Sequence, residues 1–392
     1  MLKKFSFLLG LILYSFYIIG VFSTNITGLS LIFIFVFILL IFSKTDFYFN
    51  KRAIIFLFFF NLIIIITFLI NYKTDYSIYK TQMLLLKFNT LFLIPQLLKK
   101  ENIFLFTKGL FVLLLFVTLI FFSYSFRSLS SFDYNNRLEL GILNPIWISR
   151  VCFELVLIYL LFLRQTIFRS VFLLLIIFPI IYASGSKGPV VSFIFSLIFF
   201  YFEHKKKSFI NIKNIIFLSI VVFGYFYFIQ FDNYFVQRFL ILTPEANDPN
   251  SLQESRAYFI PLILFNFFNS DFSTILFGSG IGNTSKIFYS NYVDDRFYPH
   301  NLLVEILCEF GVIIFLILVI LVLLFYIRNK SLFKYVFIYY IFNAMFSGDI
   351  ILNEFIFLYA GLAIAANNQF LNPNFHESSL SDDRELFSRA NY

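Results

Sequence analysis

Four basic side chains sit where they could meet an anion or a reacting hydroxyl: Arg137, Lys187, Arg256 and His300. His300 lies in Tyr298-Pro299-His300-Asn301, just before a long apolar run that begins near Leu302. An imidazole with an unperturbed pKa of about 6.5 accepts a proton near neutrality. Flanking cations lower that value and keep the ring neutral, so His300 reads as a general base. Arg137, in Asn135-Asn136-Arg137-Leu138-Glu139, carries a planar fork that fits a phosphate. Lys187 belongs to Ser184-Gly185-Ser186-Lys187-Gly188-Pro189, a small-residue turn whose N–H groups and ammonium suit anionic oxygens. The glycine spacing and Lys-Ser/Thr ending of a nucleotide P-loop are absent. Arg256 opens the apolar segment from Ala257 to Phe268; in a helix it would project from the amino-terminal end, where unpaired N–H groups favour an anion. Plainer readings stand beside these: a solvated loop arginine, a hairpin turn, an arginine snorkelling to lipid headgroups, and a structural histidine.

The elements that must position these residues are membrane helices. The chain has 392 residues, 60% of them hydrophobic and only 13% charged, more apolar surface than a soluble core can hide. Its apolar runs are continuous rather than alternating, which excludes a β-barrel and predicts an all-α polytopic integral membrane protein. Given that a helix needs about 20 residues to cross the hydrocarbon, the chain reads as about twelve spans. They cover 5–22, 29–43, 53–70, 81–98, 103–123, 145–163, 170–183, 189–202, 214–231, 302–327, 335–347 and 350–366. The first is kept as an anchor rather than a cleaved leader, since no small-residue cleavage site follows it. Lys and Arg concentrate in alternate segments, such as Lys99-Lys100 and Lys205-Lys206-Lys207. That bias puts both termini in the cytoplasm and the candidate residues outside. Residues 1–366 then form a single transmembrane domain with one large outer loop at about 232–301, and 367–392 form a polar cytoplasmic tail. The segment from Tyr258 to Phe268 is too short to span, and an interfacial or partly buried helix is expected there.

The net charge of +8 would suggest nucleic acid in a soluble domain, but here it follows the topology and no nucleic-acid partner is expected. The 63 phenylalanines mostly face lipid. Cys152 and Cys308 are distant from each other and fall in or beside spans, so neither a disulfide nor a metal site is expected. His204 and His376 fall on the cytoplasmic side and carry no assigned role. Charges within the spans are costly: Arg150 and Glu154 are expected to pair along one helix face, Lys87 and Lys108 lie in or near spans, and Glu305 and Glu309 are expected to orient His300 or Arg137. The run Gly278-Ser279-Gly280-Ile281-Gly282 has no strand-turn-helix setting and reads as a tight turn.

Taken in order, several motifs resemble the O-antigen ligase and polymerase family of bacterial envelope glycosyltransferases. They are Arg137 with Gly141 and Asn144-Pro145, Ser184 to Gly188, Arg256 before its apolar segment, Phe277 to Asn283, and Pro299-His300-Asn301 through Glu305 to Glu309-Phe310-Gly311. The resemblance implies a metal-independent enzyme of the cytoplasmic (inner) membrane that uses no cofactor and takes an undecaprenyl-pyrophosphate-linked glycan as donor. It implies pyrophosphate contacts for Arg256 and Arg137, a base role for His300, substrate contact for Asn301, and for Lys187 a place where many relatives have arginine. A polymerase joining O-antigen or capsule-like repeat units at the outer leaflet is the first expectation, with a chain-length regulator as a possible partner. A ligase moving glycan to lipid A-core stays open, and so does a multi-span transporter or lipid flippase, whose polar groups would cluster at the bilayer midplane.

Overall fold

The computed structural model describes residues 51–71, 73–97, 100–130, 145–163, 166–184, 186–204, 256–288, 299–346 and 349–367. The expected spans at 5–22, 29–43 and 214–231, the greater part of the outer loop, the tail and Arg137 lie outside them. The described residues are helical and contain no strand. In chain order they form α1 (Lys51–Ile70), α2 (Asp75–Met83), α3 (Asn89–Leu97), α4 (Lys100–Ser130), α5 (Pro145–Phe162), α6 (Ile167–Ser184) and α7 (Lys187–His204). After the undescribed stretch come α8 (Arg256–Phe268), α9 (Phe272–Phe277), α10 (Thr284–Phe288), α11 (Leu302–Arg328), α12 (Phe333–Ala344) and α13 (Phe355–Ala365). A π-helical turn, Leu84–Phe88, joins α2 to α3.

Among the described residues, three helices are long and apolar enough to cross a membrane, with windows Ala53–Ile70, Ile103–Ser125 and Leu302–Arg328. Their surfaces explain why they need lipid. Phe58, Phe59, Leu69 and Ile70 on α1, and Leu316, Ile320, Leu323 and Ile327 on α11, are large apolar side chains left exposed. A soluble protein rarely shows so wide an apolar band.

Elsewhere the helices approach closely through small residues. A Cβ on Gly361 would come within 2.5 Å of the Phe92 carbonyl oxygen, so the missing side chain is what lets α13 lie against α3. Gln96 then donates to the Gly361 carbonyl at 2.8 Å. Likewise Ser196 of α7 donates to the Tyr335 carbonyl of α12 at 2.7 Å.

These contacts sort the helix ends into two sets. Glu203 at the end of α7 accepts from Lys334, from the Tyr335 hydroxyl at 2.9 Å and from the Tyr326 hydroxyl at 3.0 Å, and Lys330 N–H reaches Asn367. At the opposite end, Ser149 in the first turn of α5 meets Ser184, the last residue of α6, at 2.5 Å. Ser184, the start of α7 and the start of α11 lie at that second end.

Candidate functional site

The site is built around the first turn of α11. Asn301 takes extended backbone angles, φ −143 and ψ 115, and its side-chain oxygen accepts from Leu303 and Val304 N–H at 3.0 and 3.2 Å. This is an N-cap, which relieves two of the donors that every helix start leaves unpaired. The Asn301 amide nitrogen donates to the Met345 carbonyl at 3.2 Å, tying the cap to the end of α12. The side chain expected to touch substrate is thus engaged with the protein's own backbone. Immediately before it, His300 is half-buried with φ 53, the one positive φ outside glycine among the described residues. A side-chain-bearing residue reaches that region only when its surroundings impose it, although histidine tolerates it better than most.

Lys187 opens α7, and the next residue packs on the same end of α12. A Cβ at Gly188 would lie 2.8 Å from the Phe346 Cβ, so glycine is what allows this contact. Phe346 follows Met345, the residue that receives Asn301. Lys187 and the His300-Asn301 pair, which begins 113 residues later in sequence, are therefore drawn to one end of the bundle through residues 345 and 346. Arg256 opens α8, and the apolar face of that helix, Ile263 and Phe267, packs with Val304 and Cys308 of α11. Helix α8 so lies beside the turns that follow His300. Its opposite face leaves Phe265 and Phe268 exposed, as an interfacial helix would. Ser149, one turn into α5, touches Ser184 at the same end, and Arg137 lies outside the described residues.

The glycine run has a structural task that its composition alone did not indicate. Helix α11 breaks at Gly311, where φ is 78 and ψ 173, and the break frees carbonyls that the helix would otherwise pair. Ser279 N–H takes the Cys308 carbonyl at 2.8 Å and Gly280 N–H takes the Glu309 carbonyl at 3.1 Å. The approach demands glycine on both sides: a Cβ on Gly278 would fall 2.2 Å from the Glu309 oxygen, and one on Gly311 2.3 Å from the Leu276 oxygen. Asp271 caps the short α9 that feeds this loop, accepting from Thr274 N–H at 3.1 Å and from the Ser273 and Thr274 hydroxyls. Those three donors lower its carboxyl to about 2.

Glu305 and Glu309, expected to orient His300 or Arg137, take a different partner. Lys80 of α2 ion-pairs with Glu305, with Glu309 at 2.7 Å and with Asp349 at 3.4 Å, and the side chains of all four are fully buried. The second Glu305 oxygen accepts from Ile350 N–H at 3.0 Å, and Thr284 donates to Glu309 at 3.1 Å. Tyr76 donates to Asp349. Burial alone would raise the Asp349 carboxyl, but Lys80, together with Glu305, Tyr76 and Ile351 N–H, holds it below the ordinary range. Sequence reasoning passed over Lys80, Tyr76 and Asp349. Their spacing held one usable signal, since Tyr76 and Lys80 are four apart and so share a helix face.

Other charged groups inside the bundle meet partners on neighbouring helices. Glu154 accepts from the Tyr340 hydroxyl at 2.5 Å and from Tyr359, while Arg150 donates to the Asn343 carbonyl at 3.1 Å. Lys87, placed by the π-helical turn, meets Glu354 at 3.2 Å.

Comparison with known proteins adds one result. No curated protein matches the chain. A family model described as O-antigen ligase matches residues 170–319, a stretch that holds Lys187, Arg256, the glycine loop, His300, Asn301 and the Glu305 to Gly311 break. Through that segment, the chain is similar to the O-antigen ligase family.

Proposed function

We propose that the protein is a polymerase that joins undecaprenyl-pyrophosphate-linked oligosaccharide repeat units at the outer leaflet of the cytoplasmic membrane. The observation that carries this reading is the meeting of the Lys187 turn and the His300-Asn301 turn at one end of the bundle, within the segment that matches the family. Glycosyl transfer needs a base beside the nucleophile and positive charge where the leaving group departs. In the proposed step an acceptor sugar hydroxyl attacks the anomeric carbon of the donor. The new C–O bond forms as the bond from the anomeric carbon to the phosphate oxygen breaks, and the hydroxyl proton passes to the His300 imidazole. Arg256, Arg137 and Lys187 take up the charge on the departing polyprenyl pyrophosphate, with no metal ion required. Asn301 contributes by holding the turn that presents His300, and Lys187, with a point charge rather than a fork, gives the least directional of the phosphate contacts.

A ligase shares this donor chemistry and differs in the acceptor, so it stays the second reading. Transport is less well supported. The broken α11 is a device transporters use to expose backbone oxygens to an ion. Here two of those oxygens, on Cys308 and Glu309, are already taken by Ser279 and Gly280 N–H.

His300→Ala in the native host, followed by gel analysis of surface glycan, tests the reading. Loss of long chains with single repeats still attached to lipid A-core is the expected result. Loss of every attached repeat would instead assign the ligase activity. An unchanged ladder at normal protein level removes His300 from catalysis.

A further inference from the structure

The first turn of α11 is pinned at two points to the link between α12 and α13. Asn301 donates to the Met345 carbonyl at 3.2 Å, and Glu305 accepts from Ile350 N–H at 3.0 Å. Between these ties sits the turn that His300 enters with φ 53. The second tie depends on a carboxyl group whose side chain is fully buried, and a buried polar group is costly without a partner. Lys80 supplies it from a third element. The same ammonium faces Glu309, one turn further along α11, and Asp349, the residue before Ile350. One positive charge thus gathers three carboxyls from α11 and the α12–α13 link onto α2. Without it, three buried carboxyls would lose the ammonium they share, and Glu305 would lose its hold on Ile350. Lys80, Asp349 and Ile350 all lie outside the segment matched by the family model, so this arrangement draws on parts of the chain that the match does not describe.

We propose that Lys80 is a positioning residue for His300, fixing the turn that presents the imidazole by holding Glu305, Glu309 and Asp349 together on one ammonium. This rests on the reading of His300 as the base, and the experiment separates the two. The protein is purified in detergent as the full chain and treated with diethyl pyrocarbonate across a range of pH, and the carbethoxylation rate of His300 is followed by peptide mass spectrometry. Lys80→Met should change the His300 rate at neutral pH at least threefold and move the midpoint of its pH profile. In the native host the same variant should lower long-chain surface glycan at least tenfold. Lys80→Arg, which keeps the charge, should restore most of both. Should Lys80→Met fail to accumulate, Lys80→Met/Glu309→Gln, with one carboxyl fewer deprived of the ammonium, takes its place with the same expectation. A His300 profile that matches the parent in the neutral variant overturns the proposal, even where the melting temperature falls, because a merely structural lysine would lower stability without retuning the imidazole. If His300→Ala itself keeps its glycan, the catalytic reading fails, while the carbethoxylation profile still judges the positioning claim.

Discussion

At the scale of single residues, the chemistry depends on charges whose geometry differs even where their sign is the same. Arg256 opens α8, and a guanidinium can grip a phosphate with two parallel bonds where an ammonium offers a point charge. Arg256→Lys is therefore expected to lower glycan output at least tenfold at unchanged protein level, measured by surface-glycan gel. Full activity in that variant would count against a forked contact. Asp271 offers a test of a different kind. Its carboxyl titrates at about 2 in the folded chain against an ordinary value of 3.8. A folded value below the unfolded one means the cap stabilises above about pH 4 and is lost as pH falls toward 2. Corrected for its intrinsic exchange rate, Thr274 N–H should lose protection over that window, and Asp271→Ala should lack that protection already at neutral pH.

At the scale of elements, the governing feature is the break in α11 and the loop that seals it. Gly278 and Gly311 both have positive φ, and a Cβ on either would press into the other segment's backbone. Gly311→Ala and Gly278→Ala should each cost at least about 2 kcal/mol, from left-handed strain plus a clash that no side-chain rotation relieves. Thermal unfolding in detergent reads this directly, and a variant melting within a degree of the parent would refute the tight approach. The break also bears on the site, since it ends the short helical stretch of Leu302 to Phe310 that carries Glu305 and Glu309. That stretch is held by Asn301 at its start, by Lys80 along its side and by the glycine loop at its end. Three separate attachments to a helix of little more than two turns make a rigid mount for the residue just before it.

For the molecule as a whole, the two sets of helix ends make a prediction about sidedness. Residues near 187, 300 and 349 share one end, and residues near 203, 330 and 367 share the other. Cys152 and Cys308 are buried, so the native thiols add little background to a labelling experiment. Cysteines introduced singly at Lys187 and Lys330 should behave oppositely toward a membrane-impermeant maleimide: the first labelled in intact cells, the second only after permeabilisation. The reverse pattern would place the candidate site in the cytoplasm and remove an outer-leaflet donor from consideration.

Much of this was readable before any coordinates. Continuous apolar runs set the helices, because backbone polar groups in lipid have no other partners, and the expected spans at 53–70, 103–123 and 302–327 coincide with the three long apolar helices. The apolar run beginning near Leu302 forms the long helix expected of it, and so does the short segment after Arg256. Partner choice was not readable. Glu305 and Glu309 stood near His300 in sequence, yet their cation came from Lys80, more than two hundred residues away. The glycine run reads in sequence as a tight turn, and its pairing with the carbonyls freed where Gly311 opens α11 is visible only in the fold. Local periodicity and hydropathy are properties of neighbouring residues and survive in the sequence. Which buried charge meets which, and which freed carbonyl finds a donor, depends on how distant helices pack, and only the tertiary structure decides that.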